Sequence, residues 1–327
     1  MTPATISLII PAYNEEASLP LLRKAIEAFL ETREDSYEIV VVDDHSSDRT
    51  PELVRQWARD DPRVHLVRLS RNCGSHAALH AGLAYGRGQA AVFLAADLQD
   101  PPQVIADLVA RWREGSDVVW AVRTAREGEK MSVKLFSRLY YSLLRRLALS
   151  EMPPQGADFF LLDRKVIDPY LQIPEKNTSV IAMLLWMGFR QSFVPYVKQA
   201  RAAGTSKWTL SKKLKLFVDS IVSFSFAPIR AMSIAGALFA LGGFGFAAAV
   251  VLGRILGYVV AGTGYAAIMT VLLIGLGLIM LMLGVMGEYL WRAYDEARGR
   301  PRYLIEEQYP GRRPPHPPDA STEEREK

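Results

Sequence analysis

Two long stretches without charge constrain this chain more than any other feature. No Asp, Glu, Lys or Arg occurs from Ala231 to Gly253, and after Arg254 none appears until Glu288. Each run can hold a helix of about 20 residues, the length that crosses roughly 30 Å of hydrocarbon. The second run is too long for one span, and Gly257, Gly262 and Gly264 break it. The expectation is two transmembrane helices, at about 231–253 and 265–287, joined by a short external turn. Their length and unbroken apolarity argue against core helices of a soluble domain. Lys207, Lys212, Lys213, Lys215 and Arg230 precede the first run, and Arg292, Arg298, Arg300 and Arg302 follow the second, whereas the turn offers only Arg254. Positive charge stays inside, so both ends are expected on the cytoplasmic face of an inner-membrane, multi-pass protein. Residues 1–11 lack the basic start and long apolar run of a signal peptide, which keeps the N-terminal domain on the same side. The single cysteine, Cys73, permits no intrachain disulfide and suits a reducing compartment.

Upstream of the spans the chain alternates apolar strands with amphipathic helices. Ile6–Ile10, Ile39–Val42, Val64–Leu69 and the runs near Val92 and Val118 read as strands, with helical spacing between them, as in Leu19, Leu22, Ile26 and Leu30. Near-continuous apolar strands separated by helices imply an α/β fold with a mostly parallel sheet covered on both faces. Ligands in such sheets lie at the carboxyl ends of the strands. There the chain places Pro11-Ala12-Tyr13-Asn14-Glu15-Glu16, Asp43-Asp44-His45-Ser46-Ser47-Asp48 and Asp97-Leu98-Gln99-Asp100-Pro101-Pro102. An acidic residue ending the second strand suits ribose hydroxyls or a base edge, and a carboxylate and an amide oxygen two residues apart suit a hard cation. The plainer roles are helix caps: Ser46, Ser47 or Asp48 for the second helix, Asp100 for one beginning at Pro101-Pro102, and Asp163 for one near Arg164. No G-x-G-x-x-G follows the first strand and no P-loop occurs. Cys73, His76 and His80 lack a fourth ligand, so zinc is disfavoured and both histidines read as helix residues near the cleft.

Further on, residues 130–149 read as a basic amphipathic helix, and Asp158 opens the apolar strand after Gly156-Ala157. A carboxylate facing apolar neighbours is a candidate base or positioning charge. Arg201-Ala202-Ala203-Gly204-Thr205-Ser206-Lys207 joins two cations, two hydroxyls and a glycine in a phosphate-friendly loop. Residues 206–230 read as an interfacial helix, with Leu214, Phe217, Ile221 and Phe224 on one face and lysines off it. The domains are thus 1–205 catalytic, 206–230 interfacial, 231–287 membrane hairpin and 288–327 cytoplasmic, helical to about Glu307 and disordered beyond Pro310.

Together, the 11–16, 43–48, 97–102, 156–159 and 201–207 motifs and the two spans resemble the GT-A fold glycosyltransferases of family 2, specifically those acting on polyprenyl phosphates. The resemblance covers nearly the whole chain to about Arg298. It implies a Rossmann-like GT-A catalytic domain, a nucleotide sugar held by Pro11, Tyr13, Asn14, Glu15, Asp43 and Asp44, and a divalent metal, Mg2+ or Mn2+, on Asp97 and Gln99. Asp158 takes the catalytic carboxylate position. Arg201 and Lys207 meet phosphate, with Arg123, Arg126 and Ser137 near the lipid phosphate. Ala95 departs from the family's D-x-D motif, which removes one carboxylate from the metal cluster.

The implied reaction moves a sugar, with inversion, to a polyprenyl phosphate such as undecaprenyl phosphate. Two rivals stand beside it: the same fold acting on another membrane lipid, and a nucleotide-sugar-binding membrane protein without turnover, motivated by Ala95. Nucleic acid is not an expected partner, because the cations cluster at the predicted membrane interface. A homotetramer is one assembly the resemblance allows, with Gly242, Gly243 and Gly245 permitting close helix packing.

Overall fold

A computed structural model describes residues 5–126, 159–176, 179–199, 227–256 and 264–311. The basic helix expected at 130–149, most of the interfacial helix at 206–230, the loop at 201–207 and the tail beyond 311 lie outside the described residues.

The N-terminal half builds the expected alternation. Its elements are β1 (Thr5–Ala12), α1 (Leu19–Leu30), β2 (Ser36–Asp43), α2 (Thr50–Asp60), β3 (Val64–Leu69), α3 (Ser75–Tyr85), β4 (Ala90–Phe93), α4 (Val104–Arg113) and β5 (Val118–Arg126). After these come β6 (Phe159–Asp163), α5 (Arg164–Gln172), α6 (Val180–Trp186) and β7 (Gln191–Lys198). The apolar helices are α7 (Ala227–Ile255) and α8 (Gly264–Ala297), and β8 (Ile305–Tyr309) closes the described chain.

Eight strands form one sheet in the order β7-β5-β6-β4-β1-β2-β3-β8. β1 pairs in parallel with β2 and β4, β2 with β3, and β5 with β7, while β6 and β8 run antiparallel to their neighbours. The two-residue period of a strand sorts its side chains between two cores. Leu8, Ile10, Ile39 and Val41 pack with α1, α2 and α4, whereas Ile9, Val40 and Val42 pack with α3, α5 and α6. Both faces are therefore apolar, which explains why these strands read as continuous hydrophobic runs. On the second face α3 approaches β1 closely at Gly82, where an added Cβ would sit 2.2 Å from Ile9 Cγ2.

The chain after the second apolar helix differs from expectation. Residues up to about Glu307 were expected to be helical, but α8 ends at Ala297 and β8 pairs antiparallel with β3. The reason is an open sheet edge: β3 would otherwise leave its amides and carbonyls to solvent, and a further strand pairs them. Side chains then fix the strand in place. Arg55 grips Glu307 through Nε (2.8 Å) and a terminal nitrogen (2.7 Å), and Gln308 donates to Tyr85 Oη at 2.6 Å. Residues Ile305–Tyr309 thus belong to the same sheet as the N-terminal strands.

Helices α7 and α8 contain 29 and 34 residues, about 43 and 51 Å at 1.5 Å per residue. Ile229–Phe246 and Ile274–Ala297 within them are long and apolar enough to cross a membrane. Phe244, Leu252, Ile268, Met280 and Leu283 point outward from the chain and form a large exposed apolar surface, the kind that marks a membrane or protein contact. The two helices touch where Gly236 faces Met282 and Gly275 faces Phe239, whereas Gly242, Gly243 and Gly245 have no neighbour near a Cβ position among the described residues.

Gly82→Ala should destabilise the full-length protein by about 1–3 kcal/mol, because overpacking forces α3 away from Ile9. Chemical denaturation followed by the fluorescence of Trp57 and Trp120 checks this; an unchanged midpoint would show that α3 does not pack as described.

Candidate active site

Strand direction gathers the candidate residues at one edge of the sheet. β1, β2, β3, β4, β5 and β7 share one direction, so the chain leaves all six at the same edge. β6 runs the other way, and its register, Phe160 opposite Phe93, starts it there too. Pro11 and Tyr13, Asp43 and Asp44, Asp97 and Gln99, the backbone at Arg123 and Arg126, and the entry into Phe159 therefore converge. This edge is where an open α/β sheet binds its ligand. Asp158, Ser137, Arg201 and Lys207 lie outside the described residues, as does the side chain of Arg126.

The loops after β1 and β2 are stitched to each other by side chains that meet backbone amides. Asn14 N–H donates to Ser46 Oγ (2.8 Å), Glu15 N–H to Thr50 Oγ1 (2.8 Å) and Glu16 N–H to Asp48 Oδ2 (3.1 Å). In return Ser47 N–H donates to Asn14 Oδ1 at 2.8 Å. Asp48 also accepts from Thr50 N–H at 3.0 Å, but the N-cap of α2 is Arg49 and no side chain caps it, so the capping expected of Ser46, Ser47 or Asp48 is replaced by this local turn. Asn14 (φ 52°), His45 (φ 58°) and Leu98 (φ 57°) are left-handed, one in each of the loops after β1, β2 and β4. A non-glycine residue there costs roughly 1–2 kcal/mol, and such strain gathers at functional sites. No sequence signal marked these three residues as left-handed.

The paired carboxylates after β2 divide their work. Asp43 is fully buried, accepts from Ser46 N–H (3.1 Å) and lies 3.6 Å from Arg68 Nε. It shapes the loop from behind. Asp44 is almost as buried and accepts two amides, Cys73 N–H at 2.7 Å and Gly74 N–H at 2.8 Å, which ties the β2 loop to the start of α3. Burial raises the pKa of both carboxyls; these hydrogen bonds work against it. Each Asp44 oxygen keeps a further lone pair for a ligand hydroxyl.

After β4, Asp97 is half-buried and accepts Gln99 N–H at 3.1 Å, and Gln99 O accepts Gln199 N–H at 2.9 Å, joining this loop to the end of β7. Asp100 does not cap a helix. α4 begins only at Val104, and Asp100, fully buried, instead accepts Tyr196 Oη at 2.6 Å with Lys198 Nζ 3.6 Å away. Pro101 and Pro102 delay the helix: their carbonyls accept Val104 and Ile105 N–H in a separate turn. Asp163 does cap α5, accepting Lys165 N–H at 2.9 Å.

Among the described residues no three His, Cys, Asp or Glu side chains cluster as a metal site. His80 is a core residue: its ring lies 3.2 Å from Tyr303 Oη and packs on Tyr170. Burial, with Arg302 nearby, drops its pKa to about 3. The sequence reading missed Arg68, the amides of Cys73 and Gly74, and β8. Arg68, with His65, interrupts an apolar strand, a signal that a half-buried cation there has partners.

The fold and its strand-edge site define a GT-A-like α/β enzyme domain. The chain belongs to glycosyl transferase family 2, whose model matches residues 7–171, and is a glycosyltransferase. An uncharacterised glycosyltransferase of Bacillus subtilis, YkcC, is 38% identical over 303 residues, covering 93% of this chain and 94% of its own. A prophage bactoprenol glucosyl transferase homologue of Escherichia coli is 33% identical, covering 92% and 98%. The undecaprenyl-phosphate 4-deoxy-4-formamido-L-arabinose transferase of Edwardsiella ictaluri is 36% identical, covering 92% and 93%. Mannosyl-3-phosphoglycerate synthase of Rubrobacter xylanophilus shares the fold, with 19% identity and a TM-score of 0.50 over 72% of this chain and 75% of its own.

The histidine gives a pH signature. The folded pKa lies below the unfolded value of 6.5, so below pH 6.5 the unfolded chain binds a proton that the folded one excludes. Stability contributed at neutral pH is then lost as pH falls, by up to about 1.4 kcal/mol per pH unit towards pH 3. Denaturant midpoints at pH 7.5, 6.0 and 5.0 should show this slope, and His80→Gln should flatten it.

Proposed function

We propose that this protein transfers a sugar from a UDP- or GDP-linked donor to a polyprenyl phosphate, undecaprenyl phosphate being the favoured acceptor. The observation that carries the reading is similarity along nearly the whole chain, apolar helices included, to relatives named for bactoprenol and undecaprenyl phosphate. In this reading the two helices cross the membrane with both ends cytoplasmic, as the flanking Lys and Arg require. The acceptor's head group then meets the sheet edge at the membrane surface.

Tyr13, Asn14, Glu15 and Asp44 hold the nucleoside, with Asp44 accepting from ribose or base and Asp43 keeping the loop in shape. Asp97 and Gln99 supply one carboxylate and one amide oxygen. That donor set fits a hard divalent cation, which Asp97 and Gln99 would hold beside the donor's diphosphate. The chemistry such a cation supplies when bound is neutralisation of charge on the departing nucleoside diphosphate. The acceptor phosphate is already an anion near neutral pH, so positioning matters more than base strength. Arg201 and Lys207, with Arg123, Arg126 and Ser137, hold that phosphate. Asp158, directly before Phe159 in sequence, aligns the attack or stabilises the oxocarbenium-like carbon, and direct displacement inverts the anomeric centre.

Release of nucleoside diphosphate by the purified protein tests this. It should require a nucleotide sugar, undecaprenyl phosphate and Mg2+ or Mn2+ together; release independent of the lipid would sink the acceptor assignment. Asp158→Ala should lose at least about 100-fold in turnover while binding nucleotide normally, the pattern for a group engaged in the transition state. Normal turnover in that variant would remove Asp158 from the mechanism.

A further inference from the structure

The last strand brings charge to the back of the loop that follows β2. Glu306 Oε2 lies 2.9 Å from Arg68 Nε and 3.2 Å from His45 Nδ1. The other neighbour of His45 Nδ1 is Leu69 O at 3.1 Å, an acceptor only, so this nitrogen carries the proton and serves both oxygens. His45 is the left-handed residue between Asp44 and Ser46, a place that favours glycine. Its ring is held by β3 on one side and β8 on the other. Arg68 in turn stands between Glu306 and Asp43 and reaches Ser46 O at 3.4 Å.

We propose that Glu306 is a positioning residue for nucleotide binding, acting through His45 and Arg68 on the loop 43–47. The proposal rests on reading the strand-edge site as the nucleotide pocket. Without its carboxylate, His45 loses one of two anchors and Arg68 keeps only Asp43 and the longer contact to Ser46 O. The displacement then travels forward, because Ser46 Oγ holds Asn14 N–H and Asn14 Oδ1 holds Ser47 N–H. Both loops of the pocket lose their relative position. Glu307, next in sequence, spends its hydrogen bonds on Arg55 of α2 and meets Arg68 only through its charge, so it holds the strand more than the loop. Glu306 is also carried on the segment that directly follows α8, so the pocket is shaped by chain emerging from the apolar hairpin.

The test uses full-length protein in detergent micelles, with UDP and GDP as probes in calorimetric titrations. Glu306→Gln, close in shape and without charge, should weaken binding of the preferred nucleotide about fivefold, the effect of a lost charge-assisted contact. The KM for nucleotide sugar should rise with it, while kcat, the KM for undecaprenyl phosphate and the melting temperature stay near wild type. Glu307→Gln should lower the melting temperature and leave nucleotide affinity in place. In a His45→Gly background, which keeps the left-handed backbone and removes the ring, the cost of Glu306→Gln should shrink. Unchanged affinity in Glu306→Gln, an equal loss in Glu307→Gln, or an undiminished cost without His45 would each overturn the proposal. Asp44→Asn separates the two levels: if it abolishes binding while Glu306→Gln does nothing, the pocket stands and only the positioning role fails. If it too binds normally, the pocket assignment itself fails.

Discussion

Where a strand leaves a sheet its amides lose their ladder partners, and every one that stays buried needs a new acceptor. The rest of this structure depends on how that demand is met at one edge. Asp44 takes the amides of Cys73 and Gly74, Ser46 takes Asn14, Thr50 takes Glu15 and Asp48 takes Glu16. Each bond joins loops from different strands. Polar residues that could have been surface decoration therefore act as cross-braces, and the left-handed backbone at Asn14 and His45 persists because neighbours on several sides fix it.

This arrangement explains what was legible in the sequence. Strands buried on both faces print as unbroken apolar runs, so β1 to β5 and the parallel sheet could be read directly. The motifs at their ends could be placed on one edge because direction alone decides where a parallel strand ends. The apolar helices were legible from missing charge, though their ends were not: α7 starts at Ala227 and α8 runs on to Ala297. Individual roles were less visible. Asp43 and Asp44 are adjacent and identical in type, yet one is enclosed behind the loop and the other bridges to α3. Asp100 looked like a cap and is a buried partner of Tyr196, a contact across 96 residues that local spacing cannot encode. β8 was hidden for a similar reason: Ile305-Glu306-Glu307-Gln308-Tyr309 has little strand character until Arg55 and Arg68 neutralise its acids.

The same logic separates this site from a dedicated metal cage. A protein that binds a cation unaided gathers several carboxylates around it. Here Ala95 leaves Asp97 as the one acidic side chain of that short motif, with Gln99 beside it. In the proposed reading, a donor set so sparse would suit a cation that arrives with the substrate's own oxygens.

The position of β8 at the far end of the chain also sets an order of assembly. Synthesis proceeds from the N-terminus, so β1 to β7 emerge before the apolar helices, and β8 emerges after both. Throughout that interval β3 is the border of a growing sheet, with a row of open hydrogen-bonding groups of the kind that recruits stray strands. Both apolar helices thus emerge before the sheet of the enzyme domain can be completed. A ribosome that stalls between Ile255 and Ile305 would leave a nearly complete catalytic sheet with one raw edge, which gives the cell a structural reason to translate this stretch quickly or to shield it.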